Sequence, residues 1–232
     1  MCGIAGIVQT GISTETRASK ANIMADAIRH RGPDSSGVWS SPNHPVSLSH
    51  RRLAILDLSP LGHQPMTSKQ ERSTLVFNGE IYNFRALKTE LEKAGNSFNG
   101  SSDTEVLLCA INTYGFDSAI SKAKGMYAIA HWDEDSATLK LARDRIGEKP
   151  LYYGVVNNTF VFASELKAIT RLYQPSESLT ISKQALNSFL RYGYISAPQT
   201  IYSEIHKLSP GTSLTLDLKS WKPQNESIQN FI

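Results

Sequence analysis

The chain has 232 residues, of which 40% are apolar, and this is enough to bury a full core in one large domain or two small ones. Its net charge of +3 is spread without a run of about five or six like charges, so the composition does not indicate nucleic-acid binding. It has no stretch of about 18 apolar residues and no charged-then-apolar leader, so we expect neither a membrane span nor a secretory signal. Two cysteines, Cys2 and Cys109, give no disulfide framework and no metal-ligand spacing, and we expect a reducing compartment, by default the cytoplasm.

The first part of the chain is predicted to mix strands and amphipathic helices. The apolar run after Cys2 predicts a strand, and apolar residues at helical spacing predict helices that end near Gly32 and Gly95. The predicted elements are a strand at 3–8, a helix through 23–31, a strand at 46–50, a short apolar run at 52–57 and a helix at 84–94.

The dipeptide Asn78-Gly79 lies between two apolar runs, at 74–77 and 80–82. A type I′ turn needs positive φ at both central residues, and Asn-Gly is therefore the strongest short hairpin signal. We predict two strands joined by a tight turn at these residues.

The rest of the chain is predicted to be mostly strands. Ser102 and Glu105 have the spacing of a capping box, and the apolar stripe behind them predicts a helix that ends at Gly115. From Met126 onward, strands joined by Asp-, Gly- and Asn-bearing turns favour an antiparallel meander. Strands are predicted at 126–132, 138–142, 151–156, 159–163 and 212–218, and helices at 165–172 and 182–192. Beyond Lys219 the chain turns polar, and the whole pattern favours α+β over alternating βαβ units.

Cys2 directly follows the initiator methionine, so removal of Met1 would make it the N-terminal residue. A thiol and a free α-amine, with ordinary pKa values of about 8.5 and about 7.7–8.0, would then lie on one residue. The amine could act as the base that activates the thiol. With Met1 in place that amine is part of a peptide bond, and we expect little activity. Position alone favours a plainer interpretation, in which Cys2 is a small apolar residue at the start of a buried strand.

Five motifs occur along the chain in a fixed order. They are Cys-Gly-Ile at 2–4, Arg-His-Arg-Gly-Pro-Asp at 29–34, His-Arg-Arg-Leu at 50–53, Asn-Gly-Glu-Ile-Tyr-Asn at 78–83 and Ser-Asp-Thr-Glu at 102–105, with further matches at 125–128, 143–145, 147–153, 163–168 and 207–211. In order and spacing the chain resembles the class II glutamine amidotransferases. It resembles in particular the glutaminase domain of glutamine-hydrolysing asparagine synthetases, over roughly residues 2–215.

The resemblance implies the α+β fold of N-terminal-nucleophile hydrolases, a four-layer α/β/β/α sandwich with two antiparallel sheets. It implies a glutaminase domain at 1–218, followed at 219–232 by the start of a linker to an ATP-dependent synthetase domain. The Ser-Gly-Gly-x-Asp-Ser phosphate loop of that domain does not occur in this sequence. We therefore expect no cofactor in this chain, with ATP and Mg²⁺ needed only by the synthetase domain, in cis or in trans. A homodimer is also compatible with the resemblance.

The resemblance also implies the chemistry of the site. Cys2 would attack the side-chain amide of glutamine, release ammonia and leave a γ-glutamyl thioester that water hydrolyses to glutamate. The side-chain amide of Asn78 and the backbone N–H of Gly79 would form the oxyanion hole. Arg52 would bind the α-carboxylate of the substrate, and Asp103 its α-amine. Further residues implied to line the glutamine pocket are Leu53, Ala54, Ile55, Leu56 and Glu80.

Local physics offers simpler roles for several residues. Asp103 could merely cap its helix, and Arg51 is the candidate for a solvated surface arginine. Cys109 lies on the apolar side of its helix and is predicted to be core. The six histidines lack paired spacing for zinc, and no metal is indicated. The acidic residues at 133–135 are predicted to form a strand-turn cluster in solvent.

Two other functions remain open at this point. One is hydrolysis of a different amide, such as a conjugated bile acid or a penicillin, but Arg52 and Asp103 suit the two ends of a free amino acid. The other is a glutamine-sensing or interaction domain without turnover, against which Cys2, Asn78 and Gly79 argue. The acceptor of the ammonia, aspartate or another carboxylated metabolite, would be determined by the synthetase domain.

Overall fold

In a computed structural model, which describes residues 1–70, 72–173, 179–220 and 227–231, two sheets pack between two layers of helices. The strands are β1 Gly3–Val8, β2 Ser35–Ser40, β3 Val46–Arg52, β4 Met66–Thr67, β5 Ser73–Ile81, β6 Gly125–Asp133, β7 Thr138–Arg143, β8 Tyr152–Val156, β9 Thr159–Ala163, β10 Ile205–Lys207, β11 Thr212–Asp217 and β12 Ser227–Asn230. The helices are α1 Thr14–Ala27, α2 Phe84–Lys93, α3 Asp103–Tyr114, α4 Phe116–Lys122, α5 Leu166–Thr170 and α6 Lys183–Tyr192, with 3₁₀ turns at Arg29–Arg31 and Pro60–Gly62.

Among the described residues each sheet has six strands, and neighbouring strands run antiparallel. Sheet 1 has the order β10-β8-β9-β1-β3-β2, and sheet 2 has the order β12-β11-β7-β6-β5-β4. This arrangement confirms the predicted α+β class with two antiparallel sheets.

Three apolar cores in the described part of the chain hold the layers together. The core between the sheets includes Leu48 and Phe162 from sheet 1, and Val76 from sheet 2. On the outer face of sheet 1, residues such as Ile7 pack against α1 and α5. On the outer face of sheet 2, residues such as Phe77 pack against α2, α3 and α4. The layers therefore follow the order helices, sheet 1, sheet 2, helices.

Helix α3 begins and ends as predicted, but its capping box is only half formed. The Ser102 hydroxyl accepts a hydrogen bond from the Glu105 N–H at 3.2 Å, and Gly115 follows the helix with φ +82°. The Glu105 carboxylate, however, accepts from the backbone N–H groups of Asn99 and Gly100, both at 2.8 Å. It anchors the preceding loop instead of completing the cap.

The predicted hairpin turn at Asn78-Gly79 is wrong. Strand β5 runs without interruption through both residues and pairs along its whole length with β6, Asn78 opposite Ala128 and Gly79 opposite Tyr127. Glycine is needed at 79 because the backbones of β5 and β6 approach each other closely there, and not because of a turn. A Cβ at this position would lie 2.1 Å from the carbonyl oxygen of Met126. Pairing with a distant strand has overridden the local turn signal.

The predicted meander is also wrong, because the four strands belong to two sheets. β6 and β7 form a hairpin in sheet 2, whereas β8 and β9 form one in sheet 1. The segment between them is organised by Asp144, whose fully buried carboxylate accepts from the N–H groups of Ile146, Glu148 and Lys149 at 2.9–3.2 Å. This turn explains the motif at 143–149 as the crossing from one sheet to the other.

The apolar run predicted at 52–57 is not a strand. β3 ends at Arg52, and two apolar side chains of the segment that follows are largely exposed, Ile55 57% and Leu56 44%. Helix α4 was not predicted, because it begins directly after the Gly115 that ends α3.

Two charged groups that were expected in solvent are buried or bonded. Arg51 is only 9% exposed, and its guanidinium contacts the Asp26 carboxylate and the Ala25 carbonyl. Glu134 accepts from the Ser41 hydroxyl at 2.9 Å and from the Trp132 indole N–H at 2.6 Å. The expectation for Arg51 is wrong, because its side chain ties β3 to α1. The acidic residues at 133–135 do form the predicted cluster at the end of a strand, with Asp135 exposed in the turn, but Glu134 is held by hydrogen bonds.

The predicted linker lies partly outside the described residues, which exclude 221–226 and 232. Within the described part, Ser227–Asn230 forms β12 and pairs with β11 at the edge of sheet 2. The domain boundary after residue 218 stays a prediction. None of the helices in the described ranges has the length and apolarity needed to cross a membrane.

Candidate active site

A cavity opens where β1 begins, β3 ends and β5 passes beside the start of α3. The structure brings Cys2, Arg52, Asn78, Gly79 and Asp103 to its wall. The predicted pocket residues Leu53, Ile55, Leu56 and Glu80 also line it. Ala54 does not, and its N–H donates to the carboxylate of Asp34 at 2.8 Å.

The thiol of Cys2 is held beside the first residue after β3. The Leu53 N–H donates to Cys2 Sγ at 3.4 Å, and Sγ lies 3.6 Å from the Leu53 carbonyl oxygen. Burial raises the pKa of the Cys2 thiol above its ordinary value, whereas the Leu53 N–H and the positive charges of the N-terminus and Arg52 oppose that rise. The thiol therefore needs a base to become an efficient nucleophile.

The main chain at Cys2 is fixed by side chains from two of the sequence motifs. Arg31 Nε donates to the Cys2 carbonyl at 2.9 Å, and the same guanidinium pairs with Glu165 at 3.0 Å. The Ser164 hydroxyl accepts from the Ile4 N–H at 3.0 Å. The motifs at 29–34 and 163–168 thus hold the start of β1 in place.

Asn78 presents a buried donor that nothing in the described structure satisfies. The residue is 1% exposed, and its Nδ2 has no hydrogen-bond partner among the described residues. A buried amide without a partner is costly and calls for an explanation. An anionic oxygen bound in the adjoining cavity would supply one.

The peptide just before Asn78 is fixed by two buried side chains. The Phe77 N–H donates to Gln64 Oε1 at 2.6 Å, and His50 Nε2 lies 3.2 Å from the Phe77 carbonyl oxygen. Burial lowers the pKa of His50 to about 3, so its ring is neutral near pH 7. Because a carbonyl only accepts, Nε2 must carry the proton of this neutral ring.

The two charged side chains that were predicted to bind the ends of the substrate lie on different elements. Arg52 ends β3, and its guanidinium donates to the carbonyls of Asp57 and, at 2.9 Å, Ser59. Asp103 is the first residue of α3 and is 5% exposed, and its Oδ2 accepts from the Ile81 N–H at 2.9 Å. The N-cap hydrogen bond of this helix is made by the preceding Ser102 and not by Asp103.

The carboxyl of Asp103 has an unusually high pKa. Burial, together with the negative charge of Glu80, raises its pKa to about 6, although the Ile81 N–H opposes the shift. A cationic group placed in the cavity would favour the ionised form.

Several polar lining residues were not found from the sequence. They are Asp57, Gln64, Ser102, Thr104 and Lys149. Asp57 ends the apolar run at 52–57, and Gln64 lies in the turn-rich segment after it, where polar residues normally face solvent. Both are nevertheless buried, 6% and 4% exposed. Only the fold shows their burial. Within the described ranges, no group of three or more His, Cys, Asp or Glu side chains could hold a metal ion.

Comparison with known families gives one decisive match. A model described as a glutamine amidotransferase domain matches residues 1–226. The chain belongs to this family. The five motifs between Cys2 and Glu105 all lie within the matched residues.

Related proteins agree with the family assignment. The chain is 37% identical over 234 residues to a putative glutamine-hydrolysing asparagine synthetase 2 of Methanocaldococcus jannaschii. The match covers 94% of this chain and 44% of that protein. It is also 37% identical over 218 residues to asparagine synthetase 1 (glutamine-hydrolysing) of Bacillus subtilis, and this match covers 93% of this chain and 33% of that protein. The chain thus spans less than half the length of these curated relatives.

Among solved structures, the chain is similar to glutamine phosphoribosylpyrophosphate amidotransferase from B. subtilis, complexed with ADP and GMP. The TM-score is 0.72 at 21% identity, and the match covers 99% of this chain and 49% of that one. This likeness confirms the N-terminal-nucleophile hydrolase fold of the amidotransferase domain.

Proposed function

We propose that this chain is the glutaminase half of an asparagine synthetase-like amidotransferase, and that it hydrolyses glutamine to glutamate and ammonia. The observation that carries the proposal is one cavity that combines the Cys2 thiol, the buried, unpartnered Asn78 Nδ2 and two opposite charges, Arg52 and Asp103. A free amino acid with a side-chain amide matches this combination.

The two charged residues suit the two ends of the substrate. Each terminal nitrogen of Arg52 donates one hydrogen bond to a loop carbonyl and keeps a second hydrogen for the α-carboxylate of glutamine. Ionised Asp103 would accept from the α-ammonium group, which in turn would stabilise its charge.

The reaction begins once Met1 has been removed. The free α-amine of Cys2 takes the thiol proton, and the thiolate attacks the δ-carbon of glutamine to form a C–S bond. Asn78 Nδ2 and the Gly79 N–H stabilise the negative oxygen of the tetrahedral intermediate, and each such donor typically contributes about 2.7–4 kcal/mol. The ammonium form of the amine then returns its proton to the leaving nitrogen.

Breakage of the C–N bond releases ammonia and leaves a γ-glutamyl thioester on Cys2. The same amine deprotonates a water molecule that attacks the thioester. Collapse of the second intermediate breaks the C–S bond, returns the proton to sulfur and releases glutamate.

We assign the use of the ammonia to a synthetase domain outside this chain. The names of the two curated relatives, which are more than twice as long as the matched region, support this assignment. ATP and Mg²⁺ would be required there and not here, and the cytoplasm would be the compartment. A homodimer stays a prediction.

The test is ammonia and glutamate release from glutamine by the purified chain, after intact-mass measurement has shown that Met1 is absent. We expect equimolar products from the unsubstituted chain and from Cys109→Ala, the matched control, and none from Cys2→Ala. Glutamine binding without release would instead indicate a sensing domain, and release from another amide but not from glutamine would indicate a different hydrolase.

A further inference from the structure

We propose that Asp57 is a positioning residue that sets the separation between Arg52 and Asp103, the two charged ends of the glutamine site. The inference rests on the proposed function, because it assumes that these two residues bind the ends of glutamine. It assigns to Asp57 no contact with the reacting atoms.

One oxygen of the Asp57 carboxylate shapes the loop after β3. Oδ1 accepts from the Ser59 N–H at 2.8 Å and from the Ser59 hydroxyl at 2.5 Å. These contacts close a tight turn, of the kind that an aspartate makes with the backbone two residues ahead.

The other oxygen reaches the segment before α3. Oδ2 accepts from the Ser101 N–H at 2.9 Å and from the Ser101 hydroxyl at 3.2 Å. Ser101 precedes the N-cap Ser102 and therefore stands two residues before Asp103. One carboxylate thus joins two segments that are separated by 44 residues in the sequence.

The turn that Asp57 closes is also the one that holds Arg52. The guanidinium of Arg52 donates to the carbonyl oxygens of Asp57 and Ser59, the two residues at the ends of that turn. The space around it is closed, since a Cβ at Gly62 would lie 2.1 Å from Arg52 Nη2. Moving the turn would therefore move the guanidinium.

The link is buried and ionised. Asp57 is 6% exposed, and four donors surround its carboxylate. Hydrogen bonds from Ser59 and Ser101 lower its pKa to about 2, so it stays an acceptor on both sides throughout the neutral range.

The chain offers a matched control in Glu105. Its carboxylate also holds the loop before α3, through the N–H groups of Asn99 and Gly100, but these hydrogen bonds do not extend to the turn at 57–59. Glu105→Gln loosens the same loop and leaves the link to Arg52 intact.

The experiment compares Asp57→Asn, Glu105→Gln and the unsubstituted chain, with Met1 removed from each. For Asp57→Asn we expect KM for glutamine and the inhibition constant of glutamate to rise about tenfold, which corresponds to about 1.4 kcal/mol. We expect kcat and the rate of alkylation of Cys2 by iodoacetamide to change by less than about threefold, because the thiol and its neighbours are not displaced. Glu105→Gln should raise KM by less than about threefold.

Several outcomes would overturn the inference. One is an unchanged KM in Asp57→Asn while the unsubstituted chain hydrolyses glutamine, and another is an equal rise of KM in Glu105→Gln. If Asp57→Asn does not fold, Ser101→Ala removes one of the four hydrogen bonds, and a KM within error of the unsubstituted chain contradicts the link. An unsubstituted chain that neither hydrolyses nor binds glutamine would refute the proposed function itself.

Discussion

Asp103 is the residue whose chemistry is set most strongly by its position. It lies at the positive end of α3 yet is buried beside the negative charge of Glu80, and its pKa rises to about 6. The helix terminus would favour its ionised form, so burial is the larger effect. A bound α-ammonium group would restore the charge that burial disfavours.

The raised pKa predicts a pH dependence of glutamine hydrolysis. Glutamine with its cationic amine should bind the ionised form of Asp103, which prevails above about pH 6 and is lost as the pH falls. We expect kcat/KM to decline below about pH 6, and we expect Asp103→Asn to have a low value without this decline. A profile that falls only near the ordinary carboxyl pKa, or that is unchanged in Asp103→Asn, would contradict the assignment.

The same shift predicts a pH-dependent cost in stability. Between its ordinary value of 3.8 and about 6, the folded chain keeps the Asp103 proton that the unfolded chain has lost, so stability falls as the pH rises through this range. Asp103→Asn, whose amide oxygen can still accept from the Ile81 N–H, should lack this loss. Denaturant titration measures the free energy of unfolding of both chains. Between pH 4 and pH 7 the value for the variant should rise, relative to that of the unsubstituted chain, by up to about 2–3 kcal/mol, since one pKa unit corresponds to about 1.36 kcal/mol. A difference in unfolding free energy between the two chains that does not change with pH would contradict a raised pKa of Asp103.

At the scale of elements, β5 shows what sequence could and could not predict. The apolar residues of β5 and the Asn78-Gly79 motif can be recognised in the sequence, and locally they predict a turn. The pairing with β6, which makes the segment one continuous strand, involves residues far away in the sequence and has no local signal. Helices α2 and α3 were predicted with their ends because Gly95 and Gly115 follow them, and both glycines have the positive φ that stops a helix. The distribution of hairpins between two sheets has no local signal.

The side chain that fixes β5 beside the site was also not predicted, because its contacts are with residues distant in the sequence. The candidate site residues Cys2, Arg52 and Asp103 were predicted from motifs, whereas Gln64 lies in a turn-rich segment that carried no such signal. Its side chain instead joins β5 to α3, since Oε1 accepts from the Phe77 N–H and Nε2 donates to the Thr104 hydroxyl at 3.3 Å.

Gln64→Ala should therefore destabilise the fold and misplace the oxyanion hole. The substitution leaves the buried Phe77 N–H without an acceptor, which costs about 1–3 kcal/mol. Urea titration should show this loss, and kcat should fall more than KM rises because Asn78 acts on the transition state. Gln70→Ala, in an exposed turn, is the control and should leave both properties unchanged.

At the scale of the whole molecule, stability depends on the core between the sheets. Phe162 in β9 is fully buried there, and it lies so close to β1 that a Cβ at Gly6 would come within 2.3 Å of its ring. This contact positions β1, and with it Cys2, against the rest of sheet 1.

Phe162→Ala should remove about 3–5 kcal/mol of unfolding free energy, because a large cavity opens between the sheets. Leu190→Ala, at a position that is 76% exposed on α6, should change it by less than about 0.5 kcal/mol. Chemical denaturation measures both. Equal losses in the two variants would mean that the core does not lie between the sheets.

The central claim, that Cys2 carries the γ-glutamyl group, is tested most directly by hydroxylamine. This nucleophile competes with water for a thioester and converts the γ-glutamyl group to its hydroxamate. With Met1 removed, we expect γ-glutamyl hydroxamate to replace glutamate mole for mole as hydroxylamine is added, and Cys2→Ala to form neither. Ammonia release accompanied by glutamate alone at every hydroxylamine concentration, or release that persists in Cys2→Ala, would contradict the account.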